Sequence, residues 1–467
     1  MGMSQPSETD WAAALAAATR HFINLLQIDT TNPPGNERPA AQYIANVLAQ
    51  HDIESVILES APRRANLITR LKGDGSLPPI LLMGHVDVVM AEPDKWSHPP
   101  FSGHKDESGM IYGRGATDMK QTVAAALATL LLVKQNFHDR GQLPKRDVIF
   151  LALADEETGG TYGARWMAEN HADLFADTEF ALNEGGGIAA EINGVRYMTI
   201  QAGEKGTCRF WLRARGTPGH GSVPMPNAGI VRLAAAVQRL GSTWLPVHMT
   251  ATTRRFLEVL STTQTGESAI FFRQLLHSED PGAVMDNAPL QPGMQRNLNA
   301  VLRNTAMPTI LRSGGQLNVI PDVAEAGIDG RLLPGQSRAD FEREIRAVLG
   351  PELADLEIEW ATAQPAIALE AELDGPLYDA IKEVMAERAP GTHLLPNLVT
   401  GGTDAKAFAP LGVQVFGFSP HPADDLHIFE RAHAHNERLH EQSFHYCVRT
   451  TYEIVERVIT REDGMIR

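Results

Sequence analysis

Between residues 10 and 27, apolar side chains return at helical spacing: Trp11, Leu15, Ala18, Phe22, Leu25 and Leu26 share one face. The turn cluster Asp29-Thr30-Thr31-Asn32-Pro33-Pro34-Gly35 then ends the periodicity. A second helix is predicted over 40–50, with strands near 55–58 and 66–71. Two uninterrupted apolar runs follow, Pro79-Ile80-Leu81-Leu82-Met83 and Val148-Ile149-Phe150-Leu151-Ala152-Leu153, and read as fully buried strands. A glycine turn (113–118) and a helix over 121–134 lie between them. A helix over 163–169 and a strand beginning at Phe180 come after. Alternation of this kind predicts an α/β layer with a mixed, largely parallel sheet.

The texture changes after Glu204. Residues 207–214 alternate as a half-exposed strand, Gly219-His220-Gly221-Ser222 is a loop, and a helix is predicted over 228–240. Residues 250–312 read as mixed and partly helical, interrupted at Pro281-Gly282 and Pro292-Gly293, with no chemical role assigned. Strands return near 317–320 and 325–332, then a helix over 339–348 and a strand over 356–362. Past residue 363 the first texture resumes, with a helix over 376–388, a strand over 394–400 and a closing helix over 441–457. The expected organisation is a catalytic domain of 1–203 and 364–467, with an inserted α+β lid or dimerisation domain of 204–363.

A chain of 467 residues exceeds what one hydrophobic core usually supports, which agrees with two domains. The formal charge of -16 argues against a nucleic-acid partner, which would require basic patches. No apolar run approaches the roughly 20 residues that span a bilayer, and the Ala/Leu-rich stretch 122–133 reads as a buried helix. The first ten residues lack the basic flank and apolar core of a signal peptide. Cys208 and Cys447 stand far apart, which suits a reduced compartment, and a cytoplasmic location is expected.

The chemistry gathers at strand ends. Gly84-His85-Val86-Asp87 follows the first buried run and Asp155-Glu156-Glu157 the second. In open α/β sheets ligands bind beyond the carboxyl ends of the strands, so both clusters reach one rim. Carboxylates and an imidazole collected there point to a cation, and two cations need a bridging carboxylate and further His or carboxylate ligands. Asp118, Glu184 and His433 are the other candidates, with His435, His440 and His445 competing for the last place. Singly, each has a plainer account: a helix N-cap for Asp118, solvated acids for Glu156 and Glu157, turn chemistry for Glu184, a core histidine for His85. The segment His440-Glu441-Gln442-Ser443-Phe444-His445 has one residue too many for the zinc-protease helix motif.

Taken in order, however, the motifs resemble a family of metallopeptidases. It includes aminoacylase, carboxypeptidase G, acetylornithine deacetylase and succinyl-diaminopimelate desuccinylase. The matching segments are Asp29–Gly35, Gly84–Asp87, Gly113-Arg114-Gly115-Ala116-Thr117-Asp118-Met119-Lys120, Asp155–Glu157 and Asn183-Glu184-Gly185-Gly186. Gly219–Ser222, Asn318-Val319-Ile320-Pro321, Gly401-Gly402-Thr403-Asp404, and His433 ahead of Asn436-Glu437-Arg438 complete them. The resemblance implies that His85 and Glu184 hold one zinc, Glu157 and His433 a second, and Asp118 bridges the pair. Cobalt or manganese could replace zinc. It also implies Glu156 as general base, Asp87 accepting the far N–H of His85, and a cis Asp118-Met119 bond. His220 would reach the site of a partner subunit and donate to the oxyanion, so a homodimer through the inserted domain is expected. Asn318, Gly401, Gly402 and Thr403 would contact substrate.

The implied reaction is hydrolysis of an amide bond in a small peptide or an N-acyl amino acid. The stretch 250–312 resembles the enlarged insertion of a vacuolar carboxypeptidase-like branch. Some members of the family it resembles that take an acidic C-terminal residue carry an arginine just after the inserted domain. Thr362-Ala363-Gln364-Pro365-Ala366-Ile367 has no basic residue, so the resemblance implies no such selection. Two other readings are a narrow deacylase of one biosynthetic intermediate and a non-catalytic, metal-stabilised dimer used for binding. The presence of Glu156 weighs against the last.

Overall fold

The computed structural model describes residues 10–461. The N-terminal segment read above for a targeting signal lies almost wholly outside that range. The chain forms two compact units, one running to Ala202 and taking in Ala371–Pro396 and the chain from Thr403, the other Gly203–Glu370 with Asn397–Gly402. The second crossing thus falls at 370/371 rather than 363/364, and 397–402 belong to the inserted unit. Backbone pairing explains both shifts: Leu369–Glu370 pairs with Gly203 and Glu204, and Lys205 N–H donates to the Val399 carbonyl at 3.0 Å.

In the first unit, strands run across the sheet in the order Val56–Ala61, Arg64–Leu71, Arg146–Leu153, Leu77–His85, Phe180–Asn183, Gln414–Gly417 and Val195–Glu204. The four from Arg146–Leu153 to Gln414–Gly417 are mutually parallel, with His85 opposite Leu153 and Gly417 opposite Asn183. Their carboxyl ends therefore share one edge. Leu77–His85 and Arg146–Leu153 are buried on both faces, as their continuous apolar runs require. Helix Lys120–Asn136 packs between Trp11–Leu26 and Glu441–Thr460, and its alanines let the neighbours approach on nearly every side. Among the described residues no helix is long and apolar enough to cross a membrane.

Two strands of this sheet escape the sequence pattern. Gln414–Gly417 is four residues long, too short to show a period. Val195–Glu204 carries Gln201 and Glu204, which interrupt its apolar run yet are buried by their surroundings. Polar atoms buried with partners leave no trace in a hydropathy pattern.

The second unit is an antiparallel sheet ordered Thr305–Ser313, Val323–Leu332, Phe210–Arg215, Glu357–Trp360. Leu233, Ala236 and Leu240 of helix Gly229–Ser242 and Phe341, Ile345 and Leu349 of helix Arg338–Leu349 share its core with Phe210, Leu212 and Ile328. The stretch 250–312, read as mixed and partly helical, forms the helices Ala251–Thr263, Gly266–His277, Pro281–Asp286 and Pro292–Leu302 and runs into strand Thr305–Ser313. Prolines at the first turn of the last two start helices rather than break them. Cys208 and Cys447 are buried and unpaired.

Candidate metal centre

The parallel strands deliver their chemistry at the shared edge. His85 is the last residue of its strand and is wholly buried. Its Nδ1 lies 2.9 Å from the Asp87 carbonyl oxygen, so Nδ1–H donates there and the Nε2 lone pair is left free in the neutral ring. The expected partner was the Asp87 carboxylate, whose nearer oxygen stands 3.5 Å away. That carboxylate is engaged elsewhere. It accepts from Glu156 N–H at 3.1 Å, Glu157 N–H at 3.2 Å and Asn32 Nδ2 at 2.8 Å. Asp87 thus sets the imidazole through its backbone and the glutamate turn through its side chain.

After Leu153 the chain turns at Asp155, which is buried with φ 71° and leads into the single turn Glu156–Thr158. Asp tolerates this left-handed conformation better than most side chains. Arg64, Asn32 and the Tyr162 N–H all bond its carboxylate, at 2.7, 3.0 and 2.9 Å. The fastened turn sends the two glutamates to different neighbours. Glu156 Oε2 lies 3.9 Å from His85 Nε2, and Glu157 Oε2 lies 3.2 Å from His433 Nε2. Asp118 sits between the two imidazoles, one carboxylate oxygen 3.3 Å from His85 Nε2 and the other 3.1 Å from His433 Nε2. Glu184 Oε1 is 3.7 Å from His85 Nε2. The Asp118-Met119 peptide is cis.

This donor set fits a cation. His85 Nε2 is buried and makes no hydrogen bond, although three carboxylates stand within 3.9 Å of it. Zinc ligands at about 2.0–2.1 Å in a tetrahedron are about 3.3 Å from one another, and the separations of 3.1–3.7 Å match that spacing. Two donor groups are close enough to share an ion, His85 with Glu156 and Glu184, and His85 with Asp118 and Glu157. Electrostatics agree. Burial pushes the Glu184 carboxyl up to about 7, and burial with the Glu184 charge raises Glu156 well above the usual range. Hydrogen bonds to Asp118 and Glu157 carry His433 up to about 10. Burial opposes a charged His85, but the Glu184 charge and the Asp118 and Asp87 contacts outweigh it and raise its pKa. Asp118 is held low because its contacts to both histidines overcome its burial. So many acids in one dry place cannot all ionise without positive charge among them.

His433 enters from the loop ahead of strand Arg438–His440 and is half exposed. Two of its three rivals are otherwise occupied: His445 bonds Thr19, and His440 caps helix Glu441–Thr460 while bonding the Ser108 carbonyl; His435 is exposed. His220 and Asn318 belong to the second unit, side by side on a small ribbon where Gly219–His220 pairs with Val319–Ile320. His220 is exposed and its Nδ1 lies 2.7 Å from Ser222 Oγ. Gly401 and Gly402 fall in the second unit, and Thr403 in the first, where its Oγ1 accepts from Ala405 N–H.

Two acids were missed as site residues. Asp404 is buried, raised well above the usual range by burial, and feels the charges of His85, Asp87 and Glu184. It stands in the Gly401-Gly402-Thr403-Asp404 segment of the resemblance, where the sequence gave it no role. Glu437 is wholly buried beneath the Asp118 loop; it stands in the Asn436-Glu437-Arg438 segment of the resemblance, but its polar neighbours gave no sign of its burial or role.

Histidines and carboxylates converging at the carboxyl edge of a parallel sheet, in a chain that also carries an inserted α+β unit, define a metal-dependent hydrolase. The chain belongs to peptidase family M20/M25/M40, whose model matches residues 81–457, and it is a hydrolase of amide bonds. It is 30% identical over 409 residues to human N-fatty-acyl-amino acid synthase/hydrolase, covering 85% of this chain and 78% of that one. To a probable carboxypeptidase S-like 2 of Dictyostelium discoideum it is 29% identical over 402 residues, 84% of this chain and 74% of that one. Its fold is shared with an M20 family metallo-carboxypeptidase from Sulfolobus solfataricus. The TM-score is 0.69 at 17% identity, covering 95% of this chain and 99% of that one.

Proposed function

We propose that the protein hydrolyses the amide bond of N-acyl amino acids, with small peptides as the second substrate class. What carries this reading is a centre of hydrolytic type in a chain similar along most of its length to an N-fatty-acyl-amino acid synthase/hydrolase. Similarity to a carboxypeptidase S-like protein keeps peptides in view. His85 and Glu184 are assigned to one zinc, Glu157 and His433 to a second, and Asp118 to both. Bound there, the ions supply Lewis acidity and lower the pKa of water towards neutrality. Glu156 accepts a proton from the attacking water as the C–O bond forms. It returns that proton to the amide nitrogen as the C–N bond breaks. Asn318, Gly401, Gly402 and Thr403 are proposed to meet the substrate carboxylate or amide.

The test is release of free amine from a panel of N-acyl amino acids, long-chain acyl forms included, and of dipeptides. It is run with zinc, cobalt or manganese and again after chelation. Chelator-sensitive turnover on acyl amino acids is expected. Turnover confined to dipeptides would overturn the substrate class, and turnover indifferent to chelation would overturn the metal mechanism.

A homodimer through the second unit is part of the same proposal. Among the described residues strand Thr305–Ser313 pairs with Val323–Leu332 alone, and its Met307, Ile310 and Leu311 are exposed, as are Ile230 and Val231 of helix Gly229–Ser242. An open edge with apolar side chains is the kind of surface that a second copy covers by strand addition. His220 of the partner subunit would then donate to the oxyanion. Leu311→Asp should convert the dimer to a monomer on light scattering and lower kcat by about 10²-fold, the usual loss for one oxyanion donor. A wild-type monomer would refute the assembly, and a monomeric variant of full activity would refute the role of His220.

A further inference from the structure

The Asp118 and His433 loops leave the paired strands Met110–Tyr112 and Arg438–His440, where Tyr112 stands opposite Arg438. The residues after Tyr112 therefore lie beside those before Arg438. Glu437 occupies the seam with no exposure to solvent. One of its carboxylate oxygens accepts from Arg114 Nη1 at 2.7 Å and Gly115 N–H at 3.1 Å. The other accepts from Thr117 N–H at 2.7 Å, Thr117 Oγ1 at 3.0 Å and Asp118 N–H at 3.2 Å. A single side chain thus holds the backbone of the loop that presents Asp118.

Its partner reaches the other way. The Arg114 guanidinium, buried against the Trp96 ring, donates to the carbonyls of Ala434 at 3.2 Å, Met90 at 3.3 Å and His433 at 3.4 Å. His433 has φ 58°, and Asn436 φ 56°. Asn and His enter that region more readily than most side chains, and the Arg114 bonds to Ala434 and His433 hold this segment in it. By contrast, His85 sits in a strand held by two neighbours, and Glu184 follows directly from another. The Asp118–His433 half of the centre is the one that the Glu437–Arg114 cluster holds.

We infer that Glu437 is a positioning residue: with Arg114 it clasps the Asp118 and His433 loops together and so sets the affinity for the second cation. The inference rests on the two-ion reading proposed above. Outer partners of metal ligands typically govern affinity by about 10–100-fold, and this buried, charge-assisted cluster belongs to the stronger kind.

The experiment titrates metal-free protein with cobalt(II) against a competing chelator, following the visible absorption of the bound ion. Wild-type protein should take up two equivalents; fewer would refute the two-ion reading, and this inference with it. Glu437→Gln puts an amide NH2 against N–H donors. It should weaken the second equivalent by about 10–100-fold, and the first, which shares Asp118 but keeps His85 and Glu184, by clearly less. Excess cobalt should then restore kcat with KM unchanged, which general misfolding would not allow. Two equivalents bound as tightly as in wild type, or equal weakening of both, would overturn the inference while leaving the two-ion reading intact. Should Glu437→Gln fail to fold, Arg114→Lys decides. It keeps the charge beside Glu437 but cannot span the carbonyls, so the same selective loss is expected and unchanged binding overturns the clasp.

Discussion

Glu156→Gln should lower kcat by about 10²–10⁴-fold, the usual contribution of a positioned acid–base group, while leaving two metal equivalents bound. The isosteric amide preserves volume and the Glu156 N–H bond to Asp87, so the turn at 155–158 stays in place. What it removes is a carboxylate that takes and returns a proton. The environment suits that task, because burial and the neighbouring Glu184 charge raise its pKa, and a base works best when its pKa is near the operating pH. The same oxygens, however, stand close enough to His85 to ligate, at 3.9 Å from Nε2. The variant separates the two roles. Loss of turnover with full metal content supports the base, whereas loss of one equivalent by elemental analysis would make Glu156 a ligand instead. Retained turnover would remove it from the mechanism.

Asp118→Ala should abolish measurable turnover by a different route. Asp118 alone has an oxygen within 3.3 Å of each histidine Nε2, so no neighbour can replace it as a shared ligand. Removing it also takes away an acid whose pKa both histidines hold down, next to Glu184 and Glu156, whose pKa burial raises. The expected readout is metal content below one equivalent and activity at background, with a cooperative melt retained by the metal-free variant. Two tightly bound equivalents in Asp118→Ala would exclude the bridging assignment.

These two predictions rest on residues that the chain announces at different strengths. His85, Glu156 and Glu157 follow long apolar runs, and a buried strand that stops at a polar cluster is legible because burial leaves so little room for such residues. Asp118 and Glu184 were legible only as parts of ordered motifs, since a lone Asp ahead of a helix is an ordinary cap. Choosing His433 among four nearby histidines needed the motif again, and the structure supplies the physical reason. His440 and His445 have other partners, while His433 is turned inward by a left-handed backbone. The Asp87 role was legible in kind but not in detail. A side chain two residues beyond a histidine looks like its partner, yet the carbonyl makes the bond and the carboxylate holds the next loop.

By itself the sequence determined the alternation of buried strands and helices, the inserted unit and the family of the chemistry. All of these follow from local periodicity and from motifs whose residues lie close along the chain. The tertiary structure alone decided the places of Val195–Glu204 and Gln414–Gly417 in the sheet, the return of the chain at Ala371, and the work of Asp404 and Glu437. Glu437 and Gly115 are 322 positions apart and meet at 3.1 Å. Burial of a polar group is a property of what the fold packs around it, and no local pattern encodes partners that distant.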